Sequence, residues 1–175
     1  PASAIVDNTL YIFGGKGCPS GHQELSPRDF SDLYAIDLNS FETKKLWEVP
    51  NFDKKFLPGS NMVYNKEESC FYIITGNMGG VLLKISINEP GIIPVSEIQH
   101  FDSGADFSFS QLYHAPRSQH LYCLYAKNYK NGQPSQIQIY SLSYPPMVYS
   151  QILQQDKKKQ DFSFLWYLIP ALILL

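Results

Sequence analysis

Three short runs of unbroken apolar residues set the rhythm of this chain: "TLYIF" (Thr9–Phe13), "CFYII" (Cys70–Ile74) and "HLYCLY" (His120–Tyr125). Each is too short for a stable helix and rich in aromatic and β-branched residues, so each predicts a strand. Their unbroken apolar character predicts strands covered on both faces. Tyr11, Tyr72 and Tyr122 recur at about 50 to 60 residues, the period of β-propeller repeats.

The flanks recur as well. Before each run stand a strand and a polar turn, in "SAIVDN", "SNMVYNKEES" and "SQLYHAPRSQ". Asp7 and Asn8 suit a tight hairpin because both tolerate positive φ. After each run comes a third strand, "DLYAIDL", "LLKISI" and "IQIYSL". A fourth follows in "KKLWEV", "PVSEIQ" and "VYSQIL", across the turn-rich links "NSFET", "NEPGII" and "SYPP". No helical pattern of ten or more residues precedes Gln154. The fold class expected is therefore all-β, a partial β-propeller of about three four-stranded antiparallel blades (1–50, 51–100 and 101–153). Closed propellers typically hold four to eight blades, so the remaining blades are expected elsewhere in the same full-length chain.

"LYIFGGKG" (Leu10–Gly17) could also be a strand entering a phosphate-binding glycine loop. That chemistry needs a helix directly after the glycines, whose N-terminal amides hold the anion. Here "KGCPSGHQELSPRDFSD" follows, with two prolines and no helical period, so Gly14 and Gly15 are expected to end the second strand of a blade.

This first unit resembles a kelch repeat: hydrophobics ending in Gly14-Gly15, then Tyr34 in the third strand and Trp47 in the fourth. The second unit departs, with its pair at Gly79-Gly80 and no tryptophan in its fourth strand, and the third has no glycine pair. The resemblance implies a propeller of the kelch or galactose-oxidase-like group. Divergent units of this style are also similar to the extracytoplasmic regions of membrane-bound bacterial proteins, sensors included. Galactose oxidase uses copper held by Tyr, Cys and His. No residue here matches that site, so no cofactor is expected.

In a four-stranded meander alternate connections share one face. The longest and most polar connections (14–31, 76–79 and 127–135, with the linkers 51–58 and 101–107) gather on one side, where binding sites usually lie. The ligand-contacting residues expected there are His22, Arg28, Asp29, Asn77, Tyr129 and Lys130, a mixture suited to a glycan or a peptide.

Composition narrows the classes further. The 175 residues are 44% hydrophobic and 14% aromatic, enough for a sizeable core. Only 17% are charged, with a formal net charge of -2 and no basic stripe, which leaves nucleic-acid binding without electrostatic support. Cys18, Cys70 and Cys123 show no CxxC spacing; Cys70 and Cys123 read as small core hydrophobes. The four histidines are dispersed, and His114 with His120 is the one pair that could share a metal; a simple turn explains them better, and no metal is expected. No catalytic Ser/His/Asp constellation stands out.

After the third unit, "QQDKKKQD" (154–161) reads as a polar juxtamembrane linker. "FSFLWYLIPALILL" (162–175) reads as the start of a transmembrane helix, its Phe162, Phe164, Trp166 and Tyr167 at the position of an interfacial belt. With an opening at Pro1 and a break inside that apolar run, the chain reads as an internal segment of a longer protein. Lys157–Lys159 would draw that flank toward the cytoplasm, whereas single-pass architecture favours an exported propeller. The expectation is an extracytoplasmic module of a membrane-anchored receptor or sensor, binding a glycan, peptide or protein and signalling to a cytoplasmic output domain. Two alternatives stand beside it: a sugar-acting propeller enzyme with residues in other blades, and an intracellular kelch-type adaptor with a C-terminal anchor.

Overall fold

The computed structural model describes residues 1–18, 28–50, 58–75, 81–97, 107–128 and 136–146. All regular structure in these residues is β. Eleven strands follow in order: β1 (Ala2–Val6), β2 (Thr9–Gly17), β3 (Arg28–Asp37), β4 (Thr43–Glu48), β5 (Pro58–Asn65), β6 (Cys70–Thr75), β7 (Val81–Ser86), β8 (Ile92–Glu97), β9 (Phe107–Ala115), β10 (His120–Asn128) and β11 (Gln136–Ser143). They form three antiparallel meanders: β1–β4 (unit 1), β5–β8 (unit 2) and β9–β11 (unit 3).

The hairpins repeat in detail. Four-residue turns join Asn65 to Cys70 and Ala115 to His120, each closing on a left-handed residue, Ser69 (φ 47) and Gln119 (φ 54). Unit 1 uses a two-residue turn in which Asp7 alone takes positive φ, at 51; Asn8 does not. In the turn after β3, the Asp37 carboxylate accepts the amides of Asn39 and Ser40, each at 2.8 Å. Those two bonds favour the ionised form and hold its pKa below the usual carboxylate value.

Units 1 and 2 join through their first strands. β1 runs parallel to β5, with Ser3 opposite Asn61, giving one mixed eight-stranded sheet ordered β4-β3-β2-β1-β5-β6-β7-β8. The sheet curls so that its halves face each other across a core of Phe13, Leu33, Trp47, Phe71, Ile73, Leu83 and Ile85. Trp47 crosses this core, its ring 5.9 Å from Phe13 and its Nε1 donating to the Ser86 carbonyl at 3.1 Å.

Unit 3 is a separate three-stranded sheet laid against the other face of unit 2. Cys70, Tyr72, Ile74, Leu82 and Val95 meet Leu112, Leu121, Cys123 and Tyr125 there. Where β1 meets β5 by backbone, β9 meets β5 through one side chain. Asn61 Nδ2 donates to the Leu112 carbonyl at 2.5 Å, and the Leu112 amide donates to Asn61 Oδ1 at 3.0 Å. An asparagine amide can imitate a peptide group because it carries both donor and acceptor.

Strand β6 is buried at all six positions and divides its side chains between the two cores by simple alternation. Double coverage is confined to unit 2, however. β2 is buried only at Phe13, and β10 at Leu121, Cys123, Tyr125 and Ala126, because units 1 and 3 each pack against one neighbour among the described residues. Cys70 and Cys123 are buried, as their apolar flanks predict.

The glycine pair does not end β2. The strand runs on past it, pairing Phe13 with Leu33 and then Gly15 with Phe30 across a bulge whose extra residue lies in β3, and continues to Gly17. Gly14 (φ 62) and Gly15 (φ 126) take the backbone shape that the bulge needs. The connection expected over 14–31 therefore shrinks, because β3 starts at Arg28. The fourth strand expected in "VYSQIL", the linker 154–161 and the apolar run 162–175 lie outside the described residues. Among the described residues no helix is long and apolar enough to cross a membrane.

Candidate functional site

Beyond the glycine bulge, β2 and β3 run on together as a two-stranded extension whose pairs are Gly15 with Phe30, Lys16 with Asp29 and Gly17 with Arg28. Close approach shapes it: a Cβ on Gly17 would stand 2.8 Å from the Phe30 ring, and one on Gly15 would stand 3.3 Å from Pro1. At the base of this extension lies an open depression of about 310 Å³, lined by Pro1, Ile12, Gly14, Gly15, Lys16, Phe30, Asp32 and Tyr34. That volume is at the lower end for small-molecule sites.

Alternation along β3 builds the wall. Phe30, Asp32 and Tyr34 stand on one face, while Leu33 turns toward unit 2 and Ser31 Oγ donates to the Val49 carbonyl just past β4. The charged groups form a short series. Lys16 reaches Asp29 at 4.0 Å, and Lys45 reaches Asp32 at 3.5 Å and Glu48 at 2.5 Å. Arg28 lies over the Phe30 ring at 4.7 Å, and Lys45 over Tyr34 at 5.9 Å. The Lys45–Glu48 hydrogen bond raises the lysine pKa and lowers that of the carboxylate, so both stay charged. Lys16, Arg28 and Lys45 balance Asp29, Asp32 and Glu48, so this rim carries no net charge.

Of the residues that the sequence marks for ligand contact, Arg28 and Asp29 stand at the head of β3, in the extension itself. His22, Asn77, Tyr129 and Lys130 lie outside the described residues. Gly14, Gly15 and Tyr34 line the depression, whereas Trp47 is part of the core on the opposite face. Phe30 and Asp32 were not marked in the sequence. Counting back from Tyr34 in steps of two would have found both, had β3 been started at Arg28.

The far end of the molecule carries a second polar cluster. Glu68 accepts from Tyr72 Oη at 2.6 Å and Asn65 Nδ2 at 3.0 Å, with Lys84 at 3.2 Å. The tyrosine bond in particular lowers the Glu68 pKa. These bonds tie a hairpin turn to β7. His114 and His120 do not converge. His114 stacks on Tyr144 at 3.9 Å, and His120 sits beside Tyr122 on the adjacent, opposite-facing position of the hairpin. Among the described residues no group of three His, Cys, Asp or Glu could hold a metal ion.

No family model, curated protein or solved structure matches this chain.

Proposed function

We propose that the three units are successive blades of a β-propeller, kelch-like in the first, and that they form the ligand-binding module of a membrane-anchored receptor. The observation that carries this reading is the way the units meet. First strands β1, β5 and β9 lie side by side, and each unit packs its whole face on the next. The end faces support it. Leu33 in unit 1 and Leu82 in unit 2 hold the same place, four residues before the end of the third strand, and both are 0% exposed against the following unit. Ile139 holds that place in unit 3 and is 67% exposed, beside Ile137 at 69%. Ile5, on the opposite face of unit 1, is 65% exposed. The stack thus ends in one face of each kind, as an arc of a ring does.

The ligand reading rests on the depression at Gly14–Tyr34. Its Phe30 and Tyr34 rings, its paired carboxylates and ammonium groups, and its electrical balance suit a neutral ligand with many hydroxyls or amides, a glycan or a peptide. Balanced charge disfavours polyphosphate. The apolar run 162–175 supplies the anchor in this proposal, with the units on the exported side.

The test is a titration of the full chain against a panel of glycans and peptides, repeated with Arg28→Ala and Asp32→Asn. The proposal expects a binder in the panel that weakens about tenfold or more in both variants, each having lost a charge-assisted hydrogen bond. A binder whose affinity neither substitution changes would place the ligand elsewhere.

A further inference from the structure

Asp32 is the buried charge in the wall of the depression, and the fold leaves it short of donors. The residue is only 6% exposed, yet among the described residues no donor hydrogen-bonds its carboxylate. Lys45 Nζ stands 3.5 Å from Oδ2 and is shared with Glu48, which holds it at 2.5 Å. Oδ1 has no partner at all. The one fully enclosed side-chain nitrogen or oxygen without a partner among the described residues is His114 Nε2, so Oδ1 opens onto the depression that Asp32 lines. A carboxylate taken this far out of water asks for donors, and a ligand that displaces solvent from it has to bring one.

The surroundings restrict what that ligand is. Arg28 already lies over Phe30 at 4.7 Å and Lys45 over Tyr34 at 5.9 Å, and Lys16 joins the lining. An ammonium or guanidinium ligand would meet three like charges, and an anion would meet the half-desolvated Asp32. A peptide held by its main chain needs a sheet edge. The floor offers none at Ile12, which pairs with Ser3 and Tyr34, nor at Tyr34, which pairs with Ile12 and Lys45. A hydroxyl, by contrast, donates and accepts at one oxygen. Set between Asp32 and Lys45 it can give a proton to the first and receive one from the second. A volume of about 310 Å³ suits a single ring rather than a chain.

We infer that the depression takes one neutral hexopyranose residue of a glycan, with a ring hydroxyl donating to Asp32 Oδ1 and the C–H face of the sugar lying on the Tyr34 ring. The negative face of an aromatic ring suits such a C–H surface. This rests on the reading of the depression as a ligand site and narrows it to sugar. Glu48 acts at one remove: by holding Lys45 it keeps the ammonium from closing on Asp32, so the acceptor stays open.

The test titrates the full chain and its Asp32→Asn variant, by NMR, with the methyl glycosides of glucose, mannose and galactose and with their singly deoxygenated forms. Tetramethylammonium and acetylated triglycine amide are titrated alongside. One glycoside is expected to bind, and to bind about tenfold or more weakly to Asp32→Asn, which loses a charge-assisted hydrogen bond. One of its deoxy forms is expected to show the same loss on the unsubstituted chain and no further loss on Asp32→Asn, because the two changes remove opposite ends of one bond. Tyr34→Ala, a variant independent of the buried charge, is expected to weaken the same glycoside by about tenfold. Deoxy losses that add in full to that of Asp32→Asn would overturn the role of Asp32. Tetramethylammonium or the peptide outbinding every glycoside, with loss on Asp32→Asn, would overturn the sugar and keep the depression as a ligand site. No binding, or binding indifferent to both variants, would overturn the two together.

Discussion

Replacing Asn61 probes the junction of all three units. Its backbone sits in register with Ser3 of unit 1, and its side chain makes both hydrogen bonds to Leu112 of unit 3. Leu112 is fully buried, so removing the amide leaves one N–H and one C=O without partners. A buried polar group stripped of its partner costs about 1–3 kcal/mol. Asn61→Ala opens space through which water can satisfy part of the loss, and about 2 kcal/mol is expected. Asn61→Leu fills the space with carbon, and about 4 kcal/mol is expected for two orphaned groups. The apolar substitution should therefore be the worse one, the reverse of what burial alone would give. Urea unfolding followed by circular dichroism reads both. With a slope of about 2 kcal/mol per molar, the midpoints fall by about 1 M and 2 M. Asn61→Asp adds a signature. Its carboxylate would face the Leu112 carbonyl, so the folded chain prefers the protonated acid and the folded pKa rises. Stability of that variant is then greatest below the ordinary carboxylate pKa and is lost as pH climbs through the raised value. If Asn61→Leu proves as stable as the unsubstituted chain, the amide does not hold unit 3 and apolar packing alone does.

The two buried thiols set an alkaline limit. Burial raises Cys70 to about 11 and Cys123 to about 12, so both are neutral in the fold above the pH at which an unfolded chain ionises them. Their contribution is full below about pH 9 and lost as pH rises toward the folded values, at about 1.4 kcal/mol per pH unit for each thiol. Urea midpoints between pH 8.5 and 10.5 should show it, and Cys123→Ala should flatten the slope. Trp47→Phe keeps much of the ring contact with Phe13 but leaves the Ser86 carbonyl without its indole donor, for about 1–2 kcal/mol, whereas Trp47→Ala should cost about 3–5 kcal/mol. An unchanged midpoint in Trp47→Phe would mean that the indole hydrogen bond contributes nothing.

Much of the sheet was legible because apolar runs and turn residues are local signals. "CFYII" announced a strand covered on both faces, and β6 is one. The glycine pair misled because a strand end and a bulge ask for the same residue. Only the partner strand, with Phe30 opposite Gly15, tells them apart. The start of β3 was hidden for a related reason. "RDFS" carries two charges and reads as loop, yet its alternation puts Phe30 beside Tyr34 and sets Arg28 over Phe30. Asn61 was silent altogether. The first asparagine of "SNMVYN" looks solvent-facing until a second unit is laid beside it, and no spacing along one chain encodes a contact 51 residues away.

The two-sided burial of β6 also bears on how this chain avoids misalignment. A strand with one solvated face that slips by a single residue exposes its apolar side, and only that one packing surface is lost. In β6 the same slip would drive Phe71 and Ile73 into space shaped for Cys70, Tyr72 and Ile74, and the reverse on the other side. Total hydrophobicity would barely change, yet two sets of shapes would fail together. The middle meander is thereby proofread from both flanks during assembly, by volume where polarity is silent.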